Sequence, residues 1–144
     1  MKEAEEQAEK YFGGMLDLGA TTFWEDFDLD WMKNAAPIDR LPEEGEIDVH
    51  GSYGGFCYKG FRHSLCHGWA SGVTAWLTER VLGISIAEAG CAALRIRPDL
   101  GNLQWAEGVF PTPKGDVFVR AFRDEDGRTK TEIQAPEDVR IIKD

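Results

Sequence analysis

The feature that most constrains this 144-residue chain is a change of apolar period near residue 83. Before it, Leu65, Trp69, Val73, Trp76, Leu77 and Val81 recur at three- and four-residue spacing, which is one face of an α-helix. Ser64 is placed to cap the start of that helix. Gly83 follows Leu82 as a glycine stop, with apolar Ile84 just beyond it. After residue 90 the period is two. Leu94 and Ile96 alternate with Arg95 and Arg97, Leu103 and Trp105 flank Gln104, and Val117, Val119 and Ala121 alternate with Phe118, Arg120 and Phe122. Asp124-Glu125-Asp126-Gly127 is a hairpin turn signal, Thr131 and Ile133 continue beyond it, and Val139–Ile142 reads as a last short strand. The expected class is α+β: helices first, then a small antiparallel β-sandwich of five short strands.

Upstream, Ala4, Ala8, Tyr11, Met15 and Leu18 give residues 3–18 a helical stripe. Gly13-Gly14 weakens that helix by ~1 kcal/mol per glycine, so either something approaches its backbone there or tertiary packing holds it. The next segment sets Phe23, Trp24, Phe27 and Trp31 among Glu25, Asp26, Asp28 and Asp30. That mixture is poor core material and suits the lining of a cleft. Residues 32–62 hold Pro37 and Pro42 and keep no period; connections of this length often shape functional surfaces. Two helices are too few to bury such an aromatic load. The helical part is therefore expected to be incomplete, either self-associating through exposed helix faces or belonging to something larger.

Charge narrows the partners. Residues 1–50 hold 14 Asp and Glu against 4 Lys and Arg, while the remainder holds 12 of each, giving −10 overall. A nucleic-acid binder working by phosphate neutralisation needs the opposite sign. No apolar run approaches the ~20 residues of a membrane span, so no membrane partner is expected. The acidic start, Met1-Lys2-Glu3-Ala4-Glu5-Glu6, is not a signal peptide, and the compartment stays open. Cys57, Cys66 and Cys91 are too few and too scattered for a disulfide scaffold.

The strongest chemical signal is Trp24-Glu25. An indole face stacks on the apolar side of a pyranose while a carboxylate activates water or holds hydroxyls. Glycosidases use two such acids, ~6.5–9.5 Å apart when a water must fit between sugar and base. Asp26, Asp28 and Asp30 lie too near Glu25 in the chain to act from the opposite side of a sugar, and on spacing alone a surface carboxylate cluster is the stronger reading. Cys57, His63, Cys66 and His67 are metal-ligand types, but their spacing matches no usual zinc pattern, and no metal is expected. His67 falls in the first turn of the second helix, as a capped, partly buried side chain or as a donor facing a cleft. Trp69, Trp76 and Trp105 read most simply as core. Trp24 and Trp31, ringed by acids, stand between packing and sugar stacking.

Taken together, several segments resemble the C-terminal end of bacterial α-L-rhamnosidases of glycoside hydrolase family 78. They are Gly19-Ala20-Thr21-Thr22-Phe23-Trp24-Glu25, Phe61-Arg62-His63-Ser64-Leu65-Cys66-His67-Gly68-Trp69-Ala70-Ser71-Gly72, Trp76-Leu77 and Val81-Leu82-Gly83-Ile84. Arg97-Pro98-Asp99-Leu100-Gly101, Trp105-Ala106-Glu107-Gly108 and Pro111-Thr112-Pro113-Lys114-Gly115 follow in order. The resemblance implies the terminal helices of an (α/α)6 barrel with an active-site loop over residues 1–83, and a C-terminal β-sandwich over 84–144. It implies that Glu25 is the general base of an inverting hydrolase and that His67 lies near the sugar, with Trp24 and Trp31 as further substrate-binding candidates. It leaves the general acid in the earlier, missing part of the barrel. The implied partners are a carbohydrate substrate and the remainder of that barrel, and no cofactor is needed. Cys66-His67-Gly68 stands where many members carry an Asn-His-Tyr type sequence, which marks a distinct subgroup. The competing reading is a non-catalytic carbohydrate-binding or structural β module, with Trp105 or Phe118 carrying the sugar.

Overall fold

A computed structural model describes residues 1–33, Glu43, Gly45 and 63–143. The described chain is α+β and forms two compact units, one of Met1–Glu5 with Val73–Asp144, the other of Glu6–Gly72. Most of the proline-bearing segment over residues 32–62 lies outside the described residues.

The first helical run comprises α1 (Lys2–Ala8), a π-turn (Glu9–Gly13) and α2 (Gly14–Asp17), spanning the stripe expected over residues 3–18. Gly14 explains why a poor helix former sits there. A Cβ on it would come within 3.0 Å of the Phe27 ring and 3.2 Å of the Met32 sulfur, so close approach, one of the two readings of the glycine pair, is found at Gly14. Met15, Ala20 and Trp24 are buried in the Glu6–Gly72 unit, with Phe12, Leu18, Phe27 and Leu65 packed around them.

The second helical run starts later than its stripe implies. It opens with a 3-10 turn, Gly68–Ser71, and continues through α3 (Gly72–Trp76) and a π-turn (Leu77–Val81). His67, not Ser64, caps it: the His67 backbone is extended, and its ring accepts from the Trp69 N–H. Ser64 is drawn away because its own backbone bonds to Glu25, and its hydroxyl accepts from Cys66 N–H at 3.2 Å instead. The stop is as read. Gly83 lies at φ +67°, the left-handed conformation that glycine reaches without steric cost.

Six strands follow: β1 (Ile84–Glu88), β2 (Ala93–Ile96), β3 (Trp105–Thr112), β4 (Gly115–Arg123), β5 (Thr129–Gln134) and β6 (Arg140–Ile142). They form two three-stranded sheets, ordered β1-β2-β6 and β3-β4-β5. Leu82, Ile84, Leu94 and Ile96 join Val117 and Val119 in one buried cluster, so the two sheets share a core. Two expectations need correction. The strand β1 is additional to the five expected: Ile84 reads as the apolar residue that trails the Gly83 stop, and the alternation of Ile84, Ser85 and Ile86 is too short to stand out. In the structure Ile84 is buried and Ile86 is 58% exposed. The sheets are also not wholly antiparallel, since β6 returns parallel to β2, with Leu94 opposite Ile141.

Trp105 is likewise not core. Along β3 it is Ala106, Gly108 and Phe110 that turn inward, and Trp105 is 58% exposed. The inward phase is hard to read because a side chain at Gly108 would collide with Leu82, whose Cδ1 lies 2.6 Å from an ideal Cβ there. The outer face of this sheet therefore carries Trp105 opposite Phe122, Glu107 opposite Arg120 and Val109 opposite Phe118. Arg120 pairs with Glu107 and Glu132 and lies 5.6 Å from the centre of the Phe122 ring.

A carboxylate site on two paired loop segments

Within the Glu6–Gly72 unit, Thr22–Glu25 runs alongside Ser64–His67. Glu25 N–H donates to Ser64 O at 2.9 Å, His67 N–H donates to Phe23 O at 2.7 Å, and the Thr22 hydroxyl donates to Leu65 O. Trp24 explains why the first segment stays put. Its indole is 1% exposed, set edge-on against Phe27 at 5.9 Å and His63 at 6.1 Å between ring centres. Truncating a buried aromatic of this size costs ~3–5 kcal/mol, enough to anchor a loop. Of the two readings open for Trp24, packing or sugar stacking, its burial favours packing.

Chain alternation then turns Glu25 away from that core, and its side chain is only partly buried. One carboxylate oxygen, Oε2, accepts the Ser64 N–H at 2.8 Å. The other has no hydrogen-bond partner among the described residues. The carboxylate is thus oriented through one oxygen and open at the second, as a group that must accept a proton or hold a hydroxyl requires.

His67 and Trp69 complete the group. The rings are 4.3 Å apart between centres and tilted by 37°. Trp69 Nε1–H donates to the Glu25 carbonyl at 3.0 Å, and Trp69 N–H donates to His67 Nδ1 at 3.4 Å. Trp69 is 71% exposed, contrary to its expected place in the core. Its helical spacing carried no sign of this, because the helix begins at Gly68 and the Leu65–Trp69 interval is not helical. Of the sequence candidates, the His67 ring and the Glu25 main chain both contact Trp69, while Trp24 is buried against Phe27 and His63. Trp31 lies in a 3-10 turn, Leu29–Lys33, and its side chain lies outside the described structure.

An apolar cleft of about 330 Å³ opens in the same unit, walled by Phe12, Met15, Leu16 and Phe23. Its lining does not include Glu25, His67 or Trp69, so the cleft and the carboxylate group are separate features. Leu16, at 67% exposed, and Tyr11, at 40%, leave this unit with uncovered apolar surface. Cys57, one of the metal-ligand types, lies outside the described residues, and among those described no three His, Cys, Asp or Glu side chains converge as a metal site.

The α+β chain has its structural relatives among the glycoside hydrolases. The solved structures it resembles are α-L-rhamnosidases, and the part of them that it matches is a C-terminal portion. The family 78 rhamnosidase of Bacillus sp. GL1 is 27% identical with a TM-score of 0.69, over 97% of this chain and 13% of that one. The α-L-rhamnosidase of Streptomyces avermitilis, solved with L-rhamnose, is 25% identical with a TM-score of 0.58, over 89% of this chain and 10% of that one. The α-L-rhamnosidase of Aspergillus terreus, 24% identical with a TM-score of 0.62 over 90% of this chain and 13% of that one, shares the fold. The chain thus spans about an eighth or less of the length of these enzymes. No protein-family model matches the sequence, and no curated protein does.

Proposed function

We propose that this chain is the C-terminal part of an inverting α-L-rhamnosidase-like glycoside hydrolase and supplies its general base. The observation that carries the reading is the Glu25 carboxylate, fixed by Ser64 N–H through Oε2 and free of hydrogen bonds at Oε1 among the described residues. Water held at Oε1 gives up its proton as it attacks the anomeric carbon, on the face opposite the leaving group. The departing oxygen is protonated by an acid from the rest of a helical barrel, to which residues 1–83 contribute the last helices; residues 84–144 form a β domain. His67 holds a sugar hydroxyl. Trp24 anchors the segment that carries Glu25, and Trp31 is a further candidate for the sugar. The apolar cleft and exposed Leu16 fit a unit whose remaining helices come from elsewhere in the enzyme.

The test is the stereochemistry of the product. The enzyme that carries this chain is given an aryl α-L-rhamnoside, and the first-formed sugar is read by NMR. The β-anomer is expected. Release of the α-anomer first would overturn the inverting mechanism, and absence of hydrolysis would overturn the substrate assignment.

A second reading draws on one specific observation, the 58% exposure of Trp105 on a sheet face that also carries Phe118 and Phe122. A flat aromatic face with charged neighbours suits a carbohydrate-binding module. On this reading the isolated chain binds sugar, Trp105→Ala lowers the affinity at least about tenfold, corresponding to ~1.4 kcal/mol, and Glu25→Ala leaves it unchanged. Calorimetric titration separates the two readings, since loss of affinity through Glu25 alone would favour the first.

A further inference from the structure

Three contacts meet at Trp69. Its backbone N–H donates to His67 Nδ1, its indole lies against the His67 ring, and its Nε1–H donates to the carbonyl of Glu25. The first of these decides a protonation site. A backbone N–H can only donate, so Nδ1 must present its lone pair, and a neutral imidazole in that arrangement carries its proton on Nε2. We propose that Trp69 is a positioning residue that holds His67 as the Nε2–H tautomer.

The consequence lies in what His67 can offer. Nε2–H is a donor, whereas Glu25 Oε1, without a partner among the described residues, is an acceptor. On the reading of both residues as parts of one sugar site, a hydroxyl group, which accepts and donates, is the ligand group that this tautomer serves. The ligand class rests on that reading; the tautomer and its dependence on Trp69 do not.

The indole contributes orientation. The N–H···Nδ1 bond is long at 3.4 Å, and a ring at the end of two rotatable bonds is held poorly by one long bond. The indole, 4.3 Å away between ring centres and tilted by 37°, limits the rotation of the imidazole about the orientation in which Nδ1 meets the N–H. The Nε1–H bond to Glu25 O fixes the indole in turn. Trp69 is thereby held in place although it is 71% exposed.

The experiment is long-range proton–nitrogen NMR on the 144-residue chain labelled at histidine, in alkaline buffer where imidazole is neutral. His67 is expected as a single Nε2–H tautomer, with ring protons shifted by the neighbouring indole. Trp69→Ala should abolish that shift and bring in a measurable Nδ1–H population. Trp69→Phe, which keeps a ring and the backbone N–H, should restore the single tautomer. An Nδ1–H form in the wild-type chain, or an unchanged tautomer and shift in Trp69→Ala, overturns the proposal. The Trp24 indole resonance reports whether the surrounding core is formed. Where Trp69→Ala unfolds it, Trp69→Phe decides: a retained single tautomer supports the proposal and a mixture overturns it. If Glu25→Gln leaves hydrolysis intact while the tautomer behaves as described, the proposed function fails and this inference stands.

Discussion

On the proposed general-base role, Glu25→Gln in the enzyme that carries this chain is expected to lower kcat by about 10²- to 10⁴-fold, the range that such catalysis typically contributes. The melting temperature should hardly change. Glutamine matches glutamate in shape, and its carbonyl oxygen can accept the Ser64 N–H that Oε2 now accepts at 2.8 Å. What glutamine cannot do is take a proton from water at neutral pH. The pairing of Thr22–Glu25 with Ser64–His67 should survive as well, because Glu25 N–H to Ser64 O and His67 N–H to Phe23 O are backbone bonds. Steady-state turnover on an aryl rhamnoside, measured beside a thermal melt, separates the two roles. Near-normal turnover removes Glu25 from the chemistry, whereas a large fall in melting temperature makes it a structural bracket.

Gly83→Ala is expected to destabilise the β-rich unit by about 3 kcal/mol or more, among the larger effects of a single methyl group. Part of this is conformational. At φ +67° an L-residue is in the left-handed region, which costs roughly 1–2 kcal/mol. The rest is steric, because an ideal Cβ at this position falls 1.8 Å from the carbonyl oxygen of Arg97. That oxygen belongs to backbone tied back to the same turn, with Arg97 N–H donating to Gly83 O at 3.0 Å, so it has little room to yield. Gly127→Ala is the matched control. Gly127 lies at φ +75° in the β4–β5 turn with nothing within 4 Å of a Cβ, so it should show the conformational part alone. Denaturant unfolding of both variants gives the steric part by difference; equal losses would show that the Arg97 backbone gives way.

Features written in local pattern were legible in the sequence. Val117, Val119 and Ala121 announce the inward face of β4 by strict alternation, and all three are fully buried. Gly83 announces the end of the second helix by being the residue that can take the left-handed turn. Features set by distant pairing were not. Ser64 looks like a helix cap, but its N–H and C=O bond to Glu25, 39 residues earlier. That pairing extends the backbone and moves the cap to His67. Trp69 and Trp105 are apolar at periods that suit a core, yet both are exposed. Periodicity gives the spacing of a face, whereas its phase depends on what packs opposite, as Leu82 does over Gly108. Among the candidate residues, Glu25 and His67 stand out by the family resemblance more than by spacing, which alone reads Glu25 as part of a surface carboxylate cluster. The contacts of Trp69 could not be read in this way, since one of them is a hydrogen bond across 44 residues.

The bond between Glu25 and Ser64 also bears on when this arrangement arises as the chain folds. Its ends are 39 residues apart, so in the unfolded chain the entropy of bringing them together must be met before the contact gives anything back. Strand β4, by contrast, pairs with β3 across a short turn. The hairpin can therefore form early and locally, whereas the carboxylate acquires its orientation only once a long-range pairing has closed.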